Sequence, residues 1–335
     1  KRSLSQHSKS ISPKSCAMAV NAVLVDTVDA CQIAVETLSK EKEVAVDLEG
    51  IALSREGKIC VIIVCGPDEA DPVYLFDVCA LQEDGFDDGK GCLKQLLESQ
   101  DVRKVFYDVR TDNDALRHQF DVHVQNAYDV QVLWHMRFQH AEDKYLQGLK
   151  LIQSKFFEES GEISGERKMQ LDSVKATGLA LFAPEAGGSY AVWEERPLKQ
   201  AMIDYAAADV RFLLNMKQHW DENGDVNLDS LVLKTSAERL ERFVNLPDAE
   251  ALNQSNKKFR DFDIPRSRFN MIVMREVKVP ESKRGRVIGR QGATINEVKR
   301  TTGARVTLDP GQGARIYGFP DQVESAARKI QQIIR

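Results

Sequence analysis

The sequence predicts a mixed α/β sheet under helical cover, followed by a small, separate α+β domain. Three observations carry this expectation. Apolar strand-like runs come first and then alternate with helical patterns over the first two thirds of the 335 residues. Near the C-terminus a Gly-x-x-Gly loop stands between a strand pattern and a helix pattern, and basic charge concentrates around it. A chain of this length can bury one substantial core and a second, smaller one.

In order along the chain, Val44, Val46 and Leu48 alternate with Ala45, Asp47 and Glu49, which is strand periodicity with one apolar face. Two more strand-like runs follow at Lys58–Val64 and Val73–Val78, joined through the turn-prone Gly-Pro-Asp-Glu at 66–69. Cys92–Glu98 reads as helix, Lys104–Val109 as strand, Asp112–Phe120 as helix, and Ala127–Val130 as a short strand leading into a helix from Gln131. Strands followed by alternating helices and strands indicate a mixed sheet. Residues 157–190 carry five glycines and are expected to include a mobile stretch beside the sheet. A helix over Lys199–Met216 follows, with Pro197 suited to its first turn. Residues 218–272 read as a connector with some helix at Ser236–Phe243 and a polar stretch at Asn253–Asp263. The last pattern is strand (Val273–Val279), loop, helix (Ala293–Thr301), strand (Ala304–Leu308), strand (Ala314–Gly318), helix (Pro320–Ile334).

The net charge of −5 hides an asymmetry: from Glu276 onward 12 Lys and Arg face 6 acids, a balance of +6 that leaves −11 on the rest. A basic tail module suits a polyanion, and an acidic body suits cations. All six cysteines lie in the first third, without a Cys-x-x-Cys pair, which argues against structural zinc and for free core thiols in a reducing compartment. The histidines show no ligand spacing. No apolar run approaches the ~18 residues of a membrane span. The chain opens on Lys1, and residues 1–25 contain no acid and are rich in Ser and Lys. They are expected to form a disordered tail in a protein of the cytoplasm or nucleus, or else to be the end of an organelle transit peptide.

The chemistry-bearing residues are acids. A strand puts Asp47 and Glu49 on one face, and a helix puts Tyr205 and Asp209 on one face. With Asp112 between these segments, four carboxylates and a tyrosine are placed to converge on two divalent cations, Mg²⁺ or Mn²⁺, which prefer oxygen ligands. Asp47 is the expected shared carboxylate, with Glu49 and Asp209 at one ion and Asp112 at the other. Tyr205, with an ordinary pKa near ~10, suits orienting the attacking water better than acting as a strong base. Each residue alone has a plainer reading: an exposed strand acid for Asp47 or Glu49, a helix N-cap for Asp112 or Asp129, and packing for Tyr205.

These residues resemble a known family. Val-Ala-Val-Asp47-Leu-Glu49-Gly looks like the first motif of the DEDD 3′–5′ exonucleases, and Tyr205-Ala-Ala-Ala-Asp209 like the third motif of their tyrosine subclass. Lys-Val-Phe-Tyr-Asp-Val-Arg-Thr-Asp112-Asn-Asp-Ala-Leu is similar to the second motif, whose register favours Asp112 over Asp108. Trp193…Arg196-Pro197-Leu198 and Tyr128-Asp129-Val-Gln131 resemble the ribonuclease D type. The resemblance spans roughly residues 25–220 and implies a ribonuclease H-like fold that releases nucleoside monophosphates from a 3′ end. Two departures stand out: Tyr107 occupies a position often held by His, and Asp129-Val130-Gln131 replaces the usual Asp-Thr-Gln. Neither removes an expected metal ligand.

In the tail, Arg286-Val287-Ile288-Gly289-Arg290-Gln291-Gly292-Ala-Thr-Ile295 places two glycines where a sugar–phosphate backbone can approach closely, beside the N-terminus of a helix. Arg290 adds a cation, and Val287, Ile288 and Ile295 are expected to form a floor for bases. The segment resembles a type I KH domain (β-α-α-β-β-α), whose Gly-x-x-Gly loop clamps about four nucleotides of single strand. The expected layout is a tail over 1–22, an exonuclease domain over 23–220, a helical and polar linker over 221–270 and a KH domain over 271–335. The expected activity is 3′–5′ exonucleolytic hydrolysis of single-stranded RNA, resembling exonuclease-plus-KH proteins of plants. The rival readings are a catalytically silent RNA-binding adaptor and a DNA-directed exonuclease. Protein partners and target are not written in the sequence.

Overall fold

Alternating burial on the strands divides the main core into two layers, one on each side of a six-stranded sheet. In the computed structural model, which describes residues 21–138, 146–163, 165–222, 227–249, 251, 273–309, 313–318 and 320–334, the strands are β1 (Ala22–Val25), β2 (Glu43–Ile51), β3 (Lys58–Cys65), β4 (Val73–Asp77), β5 (Arg103–Phe106) and β6 (Ala127–Asp129). The spatial order is β1-β4-β3-β2-β5-β6. Strand β3 runs antiparallel to β2 and β4, and the pairs β1–β4, β2–β5 and β5–β6 are parallel. The mixed α/β class is borne out.

Val44, Val46 and Leu48 of β2 pack on one side with α1 (Val28–Leu38), α3 (Leu93–Glu98) and α4 (Arg110–Phe120), next to the one-turn α2 (Val78–Leu81). Ala45 faces the other side, under α5 (Val130–Phe138), α6 (Leu149–Ser160), α7 (Gly165–Phe182), α8 (Gln200–Val210) and α9 (Leu213–Glu222). Each fully buried Val, Ile or Leu in these layers contributes roughly 1.5–3 kcal/mol. Asp47 and Glu49 share the face of Ala45, so β2 aims both acids at the helix layer. A bulge between Glu49 and Gly50 ends that register, and a Cβ on Gly50 would lie 2.0 Å from the Lys58 carbonyl oxygen.

Several elements differ from their sequence reading. β1 and α1 were not anticipated; β1 is four residues long, and α1 is started by the Thr27 side chain, which accepts from the Ala30 amide. The glycine-rich stretch at 157–190 is largely two ordered helices. Gly161 closes α6 at φ +65°, Gly165 opens α7, and Gly178 sits inside α7 where a Cβ would come within 2.5 Å of Tyr205. Those glycines mark helix ends and one close contact. The helix expected at 199–216 is two, α8 and α9, broken where Arg211 donates to the Asp68 and Asp71 carbonyls and Phe212 is buried. Pro197 precedes α8 and lies outside its first turn.

In the expected linker, α10 (Asp229–Val244) is longer than read and packs on α4 and β6, with Leu240 in the core. Its Arg239 is 2% exposed and pairs with Asp129, with Asp108 at 3.1 Å and with the Gln131 side-chain oxygen at 2.5 Å. Asp129, fully buried, also accepts from the amides of Asp108 and Gln131, both at 2.9 Å, which bears out its structural reading. The network fixes the turn in which Asp108 takes φ +62° just before α4. Cys31, Cys60 and Cys65 are buried free thiols. Residues 1–20, the 253–263 stretch and His140, for which the sequence carries expectations, lie outside the described residues.

The C-terminal unit has β7 (Val273–Val277), α11 (Glu281–Ile288), α12 (Ala293–Thr302), β8 (Arg305–Asp309), β9 (Gly313–Gly318) and α13 (Pro320–Ile334). Its antiparallel sheet has the order β7-β9-β8, and Val287, Val298, Val306, Ile316 and Ile330 form its core. The expected β-α-α-β-β-α order holds. Among the described residues, no helix is long and apolar enough to cross a membrane.

Replacing Arg239 by Ala should leave the buried Asp129 and Asp108 without their shared cation and destabilise the protein by about 3–5 kcal/mol. Denaturant unfolding checks this; a loss below about 1 kcal/mol would show that the network does not hold the turn before α4.

Candidate functional site

Helix α8 crosses β2 closely because Ala206, Ala207 and Ala208 are small and buried. One helical turn separates Tyr205 from Asp209, so both meet the two acids of β2. Asp47, Glu49 and Asp209 each present a carboxylate oxygen, and these oxygens lie within 4.8 Å of one another, close enough to hold a metal ion. Asp112, in the first turn of α4 and 5% exposed, is electrostatically coupled to Asp47 and Glu49 but stands outside that cluster. The structure thus gathers three of the four expected acids tightly and puts the fourth beside them.

The crowding has an electrostatic signature. Burial and then the nearby Asp209 carboxylate push the Asp47 carboxyl up to about 7. Burial, followed by Asp47 and Asp209, raises Glu49 well above the usual carboxylate range, and burial followed by Asp47 raises Asp112 in the same direction. Burial and then Asp209, Glu49 and Asp47 also push Tyr205 up, keeping its hydroxyl protonated. Asp108 goes the other way: burial opposes its ionisation, but Arg239 and Arg110 outweigh this and hold it at about 2. Asp108 is therefore a carboxylate already satisfied by arginines and not a spare metal ligand. An all-oxygen set of acids that repel one another fits a hard divalent cation.

A groove of about 640 Å³ opens over the cluster, within the ~300–1,000 Å³ usual for small-molecule sites. Asp47, Tyr107, Tyr205 and Asp209 form its floor, while α6 and α7 form its wall through Gln153, Phe157, Lys168, Leu171 and Lys175. Tyr107, the residue standing in place of the family's His, donates to the Gln147 carbonyl at 2.6 Å, tying the end of β5 to the start of α6. The Tyr205 ring packs edge-on against Phe182 at 5.0 Å and lies near Trp193 at 6.3 Å.

Sequence reading missed Lys175, whose ammonium ion-pairs with Asp209 and lies 4.4 Å from the centre of the Tyr205 ring. Its signal was present: Leu171, Lys175, Gly178 and Phe182 recur at helical spacing, but the surrounding glycines led to the expectation of a mobile stretch.

In the C-terminal unit, Gly289 ends α11 at φ +74° and Gly292 precedes α12 at φ +82°, so the loop geometry requires both glycines. A Cβ on Gly289 would also lie 2.2 Å from the Thr294 hydroxyl oxygen. Arg286 and Arg290 are exposed beside this loop. The expected base floor needs correction: Val287 is fully buried and Ile295 is 9% exposed, both inside the domain core, where they position the loop. Ile288, half-buried, is the member of that trio still open to a base. Nothing is described of the Gln291 side chain.

Comparison with known proteins gives both units relatives. Residues 22–223, more than half of the chain, match the family described as 3′-5′ exonuclease, and residues 274–332 match the KH domain. The piRNA biogenesis protein EXD1 of Mus musculus is 25% identical over 185 residues, 54% of this chain and 29% of that protein. This chain therefore spans less than a third of that relative's length. The RNase D of Trypanosoma brucei has a TM-score of 0.57 at 23% identity, covering 76% of this chain and 82% of that one. The same RNase D in complex with RNA U12 has a TM-score of 0.53 at 23% identity, covering 70% and 78%. The fold of the first unit is RNase D-like.

Because Asp47 keeps its proton up to about 7 in the folded chain, against an ordinary value of 3.8, the folded state binds more protons than the unfolded one across that window. Stability of the metal-free protein should therefore fall as pH rises from about 4 to about 7. Thermal unfolding in a chelating buffer should show this slope, and Asp47→Asn should flatten it. An identical slope in wild type and Asp47→Asn would contradict the assignment.

Proposed function

We propose that this chain, which belongs to the 3′-5′ exonuclease family and carries a C-terminal KH domain, removes nucleoside 5′-monophosphates from the 3′ end of single-stranded RNA. The observation that carries the reading is the cluster of Asp47, Glu49 and Asp209, two of whose members, Asp47 and Asp209, line a groove of nucleotide size. Asp47, Glu49, Asp209 and Asp112 would hold two divalent cations, Mg²⁺ or Mn²⁺. Such cations, when bound, acidify the attacking water and offset charge building on the phosphate.

The chain's own residues do the rest. The protonated Tyr205 hydroxyl is a donor that orients water at the phosphorus, and the Phe182 and Trp193 rings hold it in place. Water adds to phosphorus and the bond to the 3′ oxygen of the preceding nucleotide breaks. The products are a 5′-monophosphate and a shortened strand with a 3′ hydroxyl. Lys150 and Lys168 on the groove supply positive charge along the strand's path.

In the KH unit, the Gly289–Gly292 loop with Arg286, Ile288, Arg290 and Gln291 would grip single-stranded nucleic acid. A tethered binder raises the local concentration of strand at the nuclease, so neither contact needs to be tight. The RNA held by the T. brucei RNase D supports RNA as the strand, with DNA as the outcome to be tested against.

End-labelled single-stranded RNA with Mg²⁺ or Mn²⁺ should shorten progressively from its 3′ end, faster than the matched DNA. Asp47→Ala with Glu49→Ala should slow this by about 100-fold or more while leaving RNA binding intact. Binding without shortening in either metal would replace the enzyme by an adaptor, and faster loss of DNA would reassign the substrate.

Arg290→Asp with Gln291→Asp should raise KM about tenfold, the scale of a lost charge-assisted contact, with kcat unchanged. An unchanged KM would remove the KH unit from substrate capture.

A further inference from the structure

The acid cluster already has a cation of its own. Lys175 reaches across from α7 to ion-pair with Asp209, with its side chain 20% exposed and that of Asp209 12% exposed. The reach is built in. Leu171, one turn earlier, is buried against the core, and Gly178, one turn later, lets α7 sit directly on Tyr205. With both neighbouring turns pinned, the ammonium is delivered to the carboxylate and to the face of the Tyr205 ring at 4.4 Å. The other groove lysines are placed differently: Lys168 lies 3.9 Å from Asp172, and Lys150 is exposed on the rim.

We propose that Lys175 exchanges partners during the reaction: it neutralises Asp209 in the metal-free protein, yields that carboxylate to a divalent cation, and then contacts the phosphate of the bound 3′-terminal nucleotide. This rests on the metal-dependent nuclease reading above.

The argument is one of charge and reach. A divalent cation on Asp209 repels an ammonium on the same carboxylate. The displaced group remains anchored to α7 on a four-carbon stem with rotatable donors, so it moves by a change of rotamer within the groove. The wall around it contains Phe157 and Leu171, which offer an ammonium nothing, and Asp172, which already faces Lys168 at 3.9 Å. The Tyr205 ring face, 4.4 Å away at its centre, gives it a resting contact. A phosphate entering the groove is the strongest anion left unclaimed by the cations. Net charge at the site thus stays balanced before and after loading, which a fixed arginine fork at this position would not allow as readily.

The test uses the full-length chain and two measurements that do not depend on turnover. Calorimetric titration with Mn²⁺ in the absence of RNA should show Lys175→Met binding the ion about tenfold more tightly than wild type, because no ammonium has to be displaced. Lys175→Arg, which keeps the charge, should bind it much as wild type does. In the Mn²⁺-loaded protein, the preference for adenosine 5′-monophosphate over adenosine should fall about tenfold in Lys175→Met.

Mn²⁺ affinity in Lys175→Met equal to or below that of wild type, or an unchanged preference for the monophosphate, overturns the proposal. Absence of Mn²⁺ binding by wild type overturns the nuclease reading and this proposal with it, so the two failures are distinguishable. Should the Met variant fail to fold by circular dichroism, Lys175→Gln carries the same comparison.

Discussion

Mutual repulsion among carboxylates, confined where α8 crosses β2, is the constraint around which the exonuclease unit is arranged. Asp47, Glu49 and Asp209 approach within 4.8 Å in a half-buried cleft, where water screens charge poorly. Such a cluster is sustainable only with protons, an internal cation or bound cations. The raised pKa values of Asp47 and Glu49 express the first means, and the Lys175 ion pair is the second. Divalent cations would be the third, and of the three they alone would convert the stored repulsion into chemistry on a phosphodiester. Close approach is itself a matter of small residues: three buried alanines on α8 and Gly178 on α7 let backbone and ring meet where larger side chains would hold them apart.

Behind this front lies a second set of acids with the opposite electrostatics. Asp108 and Asp129 are given arginines and amide donors, so they stay ionised and hold the turn that begins α4. Asp112, two residues into α4, inherits its position from that turn. The contrast separates acids kept for structure from acids kept available for ligands. It also extends the working unit past the helices that carry the motifs, since Arg239 comes from α10.

Much of this was legible in the sequence because the informative patterns are local. Two acids spaced by two on a strand, and a tyrosine and an acid spaced by four on a helix, declare their shared faces without any tertiary knowledge. The KH element order was readable for the same reason, from short periodic runs separated by glycines. Of Lys175 only the helical spacing was readable, and of Arg239 nothing, because each acts through a residue remote in the chain. Lys175 meets Asp209 and Arg239 meets Asp129, and neither pairing leaves a spacing to recognise. The glycines at 157–190 misled in an instructive way: composition says only that Cβ atoms are missing, while the structure shows that one absence accommodates Tyr205. Burial corrected the KH floor likewise, since Val287 and Ile288 are adjacent in sequence yet one is in the core and the other is half open.

The two units divide the work by charge, an acidic body that suits cations and a basic tail that suits a polyanion. In the proposed function the acid cluster holds metal against an RNA end. A crystal of the full chain soaked in Mn²⁺, with diffraction recorded at the manganese absorption edge, tests that claim most directly. The account predicts two anomalous peaks roughly 3.5–4 Å apart, bracketed by Asp47, with the Lys175 ammonium withdrawn from Asp209. An absence of anomalous density at the cluster, with Lys175 still paired to Asp209, would contradict it.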